Sequence, residues 1–242
     1  MNSANIYQET VAKELAKWEA KMLKPPGAYG RISKDAQSRF QNLMPKKIQK
    51  AITLSVKTLM ETVLGASSFL TKTAVADHPS LAEGDFMVEK AFSNYHKTAI
   101  VQGVGFGLGG VLINIADLPA LMAIKTKFLF DCAKLYGFDV DQKSERVFML
   151  YVFQLAFCSD ERRLELYPII KAWDQKGQYE ELDWEKLQLE YRDYMDLAKM
   201  LQVLPVVGAL AGGAANHSLM TKLKTTAMNC YRMRVMARGN KR

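Results

Sequence analysis

Asp117 is the residue that most invites a chemical reading. It carries the one charge in the 26 residues from 99 to 124, AIVQGVGFGLGGVLINIADLPALMAI. A carboxylate at an apolar boundary is costly unless it is paired. Asp117 therefore reads either as a ligand contact or proton- or cation-linked site, or as the N-cap of a helix opening at Leu118-Pro119. Asn114 and Asn216 each follow a glycine-rich run and are candidate ligand contacts or caps in the same sense. Residues 105–110, GFGLGG, match GxGxxG, and Asp131 follows Gly110 by 21 residues, near the place of a ribose-binding acid. That fingerprint needs a βαβ unit, yet Asp117 and Pro119 interrupt the following helix and no later strands are predicted. No Gly-Lys-Ser/Thr follows, which excludes a P-loop.

The remaining reactive side chains do not assemble into a signature. Cys132, Cys158 and Cys230 are far apart and odd in number, as expected of buried reduced thiols. His78, His96 and His217 are equally scattered, and neither HExxH nor GxSxG occurs. The sequence thus predicts no catalytic, cofactor-binding or metal-ligating set, and no cofactor.

Charge is the other chemical signal. The formal net charge is +8, and residues 197–242 hold eight Lys/Arg with no Asp/Glu, so the rest of the chain sums to zero. A basic end this distinct points to an anionic partner. Lys13, Lys17 and Lys21 recur every four residues near the N-terminus. With Lys125, Lys127, Lys222, Lys224, Arg232, Arg234 and Arg238 they are the candidate contacts to anionic lipid. The partner expected is an anionic membrane surface or a membrane protein. Nucleic acid is disfavoured, because Tyr231 is the one aromatic among the tail's arginines and no recognition motif is present.

Helical periods dominate the elements that must position these residues. Tyr7, Val11, Leu15, Trp18 and Met22 form an apolar stripe over 4–24, ended by Pro25-Pro26-Gly27. Ile48, Ile52, Val56, Leu59 and Val63 predict a helix over 46–69. A loop is expected over 76–85, then a helix from Phe86 with Val88, Phe92, Tyr95 and Ala99 inward. Gly137 is a predicted C-cap, Asp141 or Ser144 a predicted N-cap, and 147–158 a buried core helix. Ser159 or Asp160 caps a charged helix to Trp173, 183–201 reads as amphipathic, and a basic helix over 216–238 follows the second glycine-rich run, 205–215. The fold class is all-α, a multi-helix bundle with two glycine-rich apolar helical hairpin segments. The chain reads as a single domain, 1–242, with an N-terminal amphipathic helix (1–27), a first hairpin (99–137) and a second glycine-rich segment with its basic helix (204–238).

Gly103/Gly107, Gly105/Gly109 and Gly208/Gly212 are spaced by four, which lets helix backbones approach closely. Each Gly costs about 1 kcal/mol relative to Ala in a helix, so these runs belong in protein or in lipid. Residues 98–116 approach the length of a membrane span. At 242 residues, 49% hydrophobic and 24% charged, the chain is an ordinary globular composition, which excludes collagen, disordered polyelectrolytes and disulfide scaffolds. The polar start is not a secretory signal, and a cytoplasmic setting is expected, peripheral to the inner face of the cell membrane.

In order along the chain, Tyr7, Glu9 and Trp18, IADLPAL at 115–121, LYGFDV at 135–140 followed by an Arg146-led apolar helix, and LPVVGALAGGAAN at 204–216 before a basic helix together resemble the EcsC family of bacterial proteins. The resemblance covers most of the chain. It implies no transferable catalytic activity. The family takes its name from an operon that also encodes an ABC transporter linked to protein secretion, and membrane association is what it leads one to expect. The expected function is that of a non-enzymatic peripheral membrane protein linked to membrane transport or secretion. The alternatives are a small-ligand binder or enzyme with a pocket near Asp117, and a soluble cytosolic adaptor.

Overall fold

The computed structural model describes residues 3–25, 60–63, 65, 72–107, 118–158, 160–176 and 209–239. Its helices are α1 (Ser3–Met22), α2 (Leu81–Gly107), α3 (Leu118–Leu135), α4 (Lys143–Phe157), α5 (Asp160–Lys171), the single turn α6 (Trp173–Lys176) and α7 (Ala209–Gly239). Residues 60–63 are also helical, with Met60 and Val63 buried. The all-α bundle is what the helical periods predict. Asp117, Asn114, the caps proposed at Ser159, and the helix over 183–201 lie outside the described residues, as do 108–117 and 177–208.

α4 is the core. Every residue from Val147 to Phe157 is buried, as expected of a helix apolar on all sides. α3, α5 and α7 pack around it. α7 is 31 residues long and joins the second glycine-rich run to the basic segment without a break. It touches α1, α2, α3, α4 and α5, and its most extensive contact is with α2. Asp85 and Glu89 of α2 meet Arg232 and Lys224 of α7, so the two helices run antiparallel.

Local chemistry sets the helix ends. α2 begins at Leu81, inside the predicted loop, because Ser80 and Glu83 form a capping box. The Ser80 amide donates to Glu83 Oε2 at 2.8 Å, and the Glu83 amide donates to Ser80 Oγ at 3.3 Å. α3 ends in a Schellman motif. The Phe138 amide donates to the Ala133 carbonyl and the Gly137 amide to the Lys134 carbonyl, both at 3.0 Å, and Gly137 holds φ 76°. Neither Asp141 nor Ser144 caps α4. Its N-cap is Gln142, without a side-chain cap bond, and Asp139 Oδ1 accepts the Asp141 amide in the turn before it.

α1 lies on this core by its predicted stripe. Val11 and Leu15 are buried with Leu81, and Trp18 meets Tyr167 edge-to-face at 5.6 Å. Its C-terminal carbonyls are held by Arg163, which donates to the Lys21 and Lys24 oxygens at 2.8 and 2.7 Å. The three cysteines are buried and unpaired in disulfides. Burial pushes the Cys132 and Cys230 thiols well up, which keeps them unreactive.

Candidate functional site

The polar centre of the molecule is built on two arginines of α7. Positions 232 and 234 are two residues apart, so their side chains leave opposite flanks of the helix. Arg232 turns to α2, where its Nε lies 3.0 Å from both oxygens of the buried Asp85. Its other nitrogens reach Asp85 Oδ2 at 2.9 Å and Glu14 Oε2 at 3.1 Å. Asp85 also accepts the Tyr7 hydroxyl at 2.6 Å and the Tyr136 hydroxyl. Arg234 turns the other way. It holds both oxygens of buried Glu145 at 2.9 Å and grips Asp174 through Nε and a terminal nitrogen at 2.9 and 2.8 Å. Its guanidinium lies 3.9 Å from the Phe138 ring centroid and 4.2 Å from that of Phe148. Glu145 also accepts the Tyr231 hydroxyl at 2.8 Å. Tyr136 and Tyr231 stack at 5.7 Å and join the two networks.

The electrostatics describe a lock. Burial pushes Glu145 up from the usual carboxylate range, and the facing charge of Arg234 pulls it back only in part. Burial and the Asp85 hydrogen bond push the Tyr7 hydroxyl up to about 12. Burial drives Tyr136 and Tyr231 further up. Burial works against the Arg232 and Arg234 cations, but Asp85 for one and Glu145 with Asp174 for the other outweigh it and raise both. The two carboxylates of these networks, Asp85 and Glu145, are saturated by donors, and the phenols are held protonated. Neither network presents an activated base or nucleophile.

This changes the reading of the basic C-terminal helix. Arg232 and Arg234, candidate lipid contacts by sequence, are the counter-ions of the buried carboxylates. Lys224 pairs with Glu89 at 2.7 Å and lies 4.7 Å from the Phe92 ring centroid. Lys125 is only 2% exposed, on the face of α3 that also buries Met122, Phe128 and Leu129. Burial pulls its pKa down to about 8. Lys13, Lys17, Lys21, Lys127, Lys222 and Arg238 are exposed. Asn216 lies within α7, in line with neither a loop nor a helix end.

What sequence reasoning missed are Asp85, Glu145 and their tyrosines. A carboxylate on an otherwise apolar helical face was a usable signal at both. Asp85 falls between Leu81 and Val88 on the inner side of α2, and Glu145 precedes the apolar run of α4.

A cavity of about 830 Å³ opens between the start of α2, the α3–α4 connection, the first turns of α1 and the last turn of α7. Among the described residues no cluster of His, Cys, Asp and Glu is arranged to hold a metal ion, and no helix is long and apolar enough to cross a membrane.

An all-helical bundle locked by buried arginine–carboxylate pairs defines the class of protein. The chain belongs to the EcsC protein family, whose profile matches residues 9–236. It is 38% identical over 228 residues to Protein EcsC of Bacillus subtilis (strain 168), covering 94% of this chain and 96% of that protein. It is 34% identical over 155 residues to the uncharacterized protein YdbA of the same organism, covering 62% of this chain and 57% of YdbA. No solved structure matches.

Proposed function

We propose that this EcsC-family protein is a non-enzymatic peripheral membrane protein, linked to membrane transport or secretion, that docks on an anionic lipid surface through the outer face of α1. One observation carries the reading. Glu14 and Glu19 of α1 are engaged by Arg232 and Lys171, while Lys13, Lys17 and Lys21 point outward four residues apart. With Lys24 beside them and Glu9 the one acid of α1 that forms no ion pair among the described residues, the outer face is a basic ridge. Ile6 and Leu23, about half exposed near its two ends, offer apolar contacts. A basic residue near anionic lipid contributes on the order of 1 kcal/mol. Three lysines therefore supply about two orders of magnitude in partition.

The test is flotation of the full chain with phosphatidylglycerol-containing vesicles at low and high salt. The expected result is binding at low ionic strength that salt reverses, because screening shortens to about 3 Å at 1 M. The triple charge reversal Lys13→Glu, Lys17→Glu, Lys21→Glu removes that binding while leaving the helical circular dichroism intact, since all three side chains are exposed. Vesicle binding unchanged in the triple variant would overturn the docking surface. An absence of binding to any vesicle would favour the adaptor reading.

A further inference from the structure

The cavity at the start of α2 carries two charges that do not answer each other. Leu81, Tyr136, Val235 and Met236 supply apolar lining. Arg238 lines the cavity, its guanidinium 3.8 Å from the Phe138 ring centroid. Among the described residues it has no carboxylate partner. Its nearer charged neighbour along α7 is another cation, Arg234. Burial and the Arg234 charge weaken its hold on the proton, and the more distant charges of Asp174 and Glu145 offset this only in part. Asp139 lines the cavity as well. Its oxygens accept the Asp141 amide at 2.9 Å and the Gln142 side-chain amide at 3.4 Å, and it forms no ion pair among the described residues; the nearby Arg146 donates instead to the Val140 and Asp141 carbonyls. No ion pair joins Asp139 to Arg238.

A ligand with one charge would satisfy one of these side chains and be repelled by the other. A ligand with both would neutralise both. We infer that this cavity binds a small zwitterion of the aminoalkyl phosphate class, its phosphate on Arg238 and its ammonium on Asp139. A planar guanidinium presents several donors to phosphate oxygens. Gln8 and His78, which also line the cavity, are further donors for a group richer in oxygens than a carboxylate. The volume of about 830 Å³ lies within the range of small-molecule sites. The rim is built to hold its shape. The Ala76 amide donates to the Lys134 carbonyl at 2.8 Å, which ties the loop before α2 to the end of α3. His78 is held on the cavity wall at φ 44°, a conformation that costs a non-glycine residue about 1 kcal/mol or more.

The same chemistry occurs in free phosphoethanolamine and in the headgroup of phosphatidylethanolamine, and the experiment separates the two. Phosphoethanolamine is titrated into the full chain by calorimetry without vesicles, so the result is independent of the α1 ridge. Saturable binding is expected. Inorganic phosphate alone and ethanolamine alone should each bind at least about tenfold more weakly, as should phosphoethanolamine to Arg238→Gln and to Asp139→Asn. Both residues are exposed, and Asn keeps the oxygen that accepts the Asp141 amide, so the fold should survive. Neutral vesicles with and without phosphatidylethanolamine, in high salt, then name the source. Recruitment that free phosphoethanolamine displaces identifies the lipid headgroup, and binding of the free compound without recruitment identifies a soluble ligand. No phosphoethanolamine binding at about 10 mM overturns the site. Equal affinity for inorganic phosphate, or an Asp139→Asn variant that binds normally, overturns the zwitterion.

Discussion

Asp85 and Arg232 stand 147 residues apart and meet side-on, the arginine Nε 3.0 Å from both carboxylate oxygens. Through that one carboxylate, α2 is tied to α7 by the guanidinium, to α1 by Tyr7 and to the end of α3 by Tyr136. Arg232 adds Glu14 of α1. A single buried acid thus fixes where four segments meet, and it does so with every polar partner satisfied.

Removing one member of such a pair leaves an uncompensated buried charge. Arg232→Met should lower the unfolding free energy by about 3–5 kcal/mol, read by urea denaturation. Asp85→Leu combined with Arg232→Met should cost much less than the single arginine change, because nothing charged is then stranded. A single-variant loss below about 1 kcal/mol would show that the pair is solvated and that the lock is not real.

Gly84 precedes Asp85 and sits under the Tyr136 ring. A Cβ there would lie 2.7 Å from Cδ1 and 2.9 Å from Cε1 of Tyr136. The ring cannot step aside, since it is buried against Tyr231 and its hydroxyl is held by Asp85. Gly84→Ala should therefore destabilise by about 1–3 kcal/mol, despite the better helix propensity of alanine. Gly239→Ala, where an added Cβ meets nothing within 4 Å, is the control and should change stability by under about 0.5 kcal/mol. Equal midpoints for the two variants in thermal unfolding would refute the close contact.

The helices were legible because burial follows period. The stripe Val11, Leu15, Trp18 and the run 147–158 are buried as their spacing requires. Gly137 was legible as a cap because only a left-handed residue closes a Schellman motif there. The start of α2 was missed although Ser80 and Glu83 carry the capping-box spacing, since His78-Pro79 reads more strongly as a loop. The candidate contacts fared differently, because sequence gives charge but not direction. Arg232 and Lys13 look alike in a one-dimensional count. Only the long-range partner, Asp85 for one and none for the other among the described residues, separates a core ion pair from an outer face.

Gly137 carries a second constraint besides its φ of 76°. An added Cβ would come within 3.0 Å of the Ala76 carbonyl oxygen and of Pro79 Cδ. Gly137→Ala should cost about 2 kcal/mol or more, combining left-handed strain with displacement of the loop before α2. Hydrogen exchange should show the Ala76 amide losing protection along with those of Gly137 and Phe138. Unaltered protection at Ala76 would mean that the loop is not held by this corner.

Lys125 provides the pH test. Its pKa falls from 10.5 to about 8 on folding, through burial alone. The folded state therefore disfavours its charge, and stability from this group is present above the unfolded value and lost as pH falls through the folded one. Below pH 8 the full penalty applies, on the order of 3 kcal/mol at 1.36 kcal/mol per pKa unit. Lys125→Met keeps the stem volume and removes the charge. It should stabilise the protein by up to that amount at pH 7. The advantage over the native chain should shrink between pH 8 and pH 10.5, and vanish above it. The difference between the two proteins isolates this group, since the raised tyrosines contribute equally to both. Urea midpoints measured across that range decide the matter. A stability difference that stays flat with pH would show that Lys125 is solvated or paired in the folded protein.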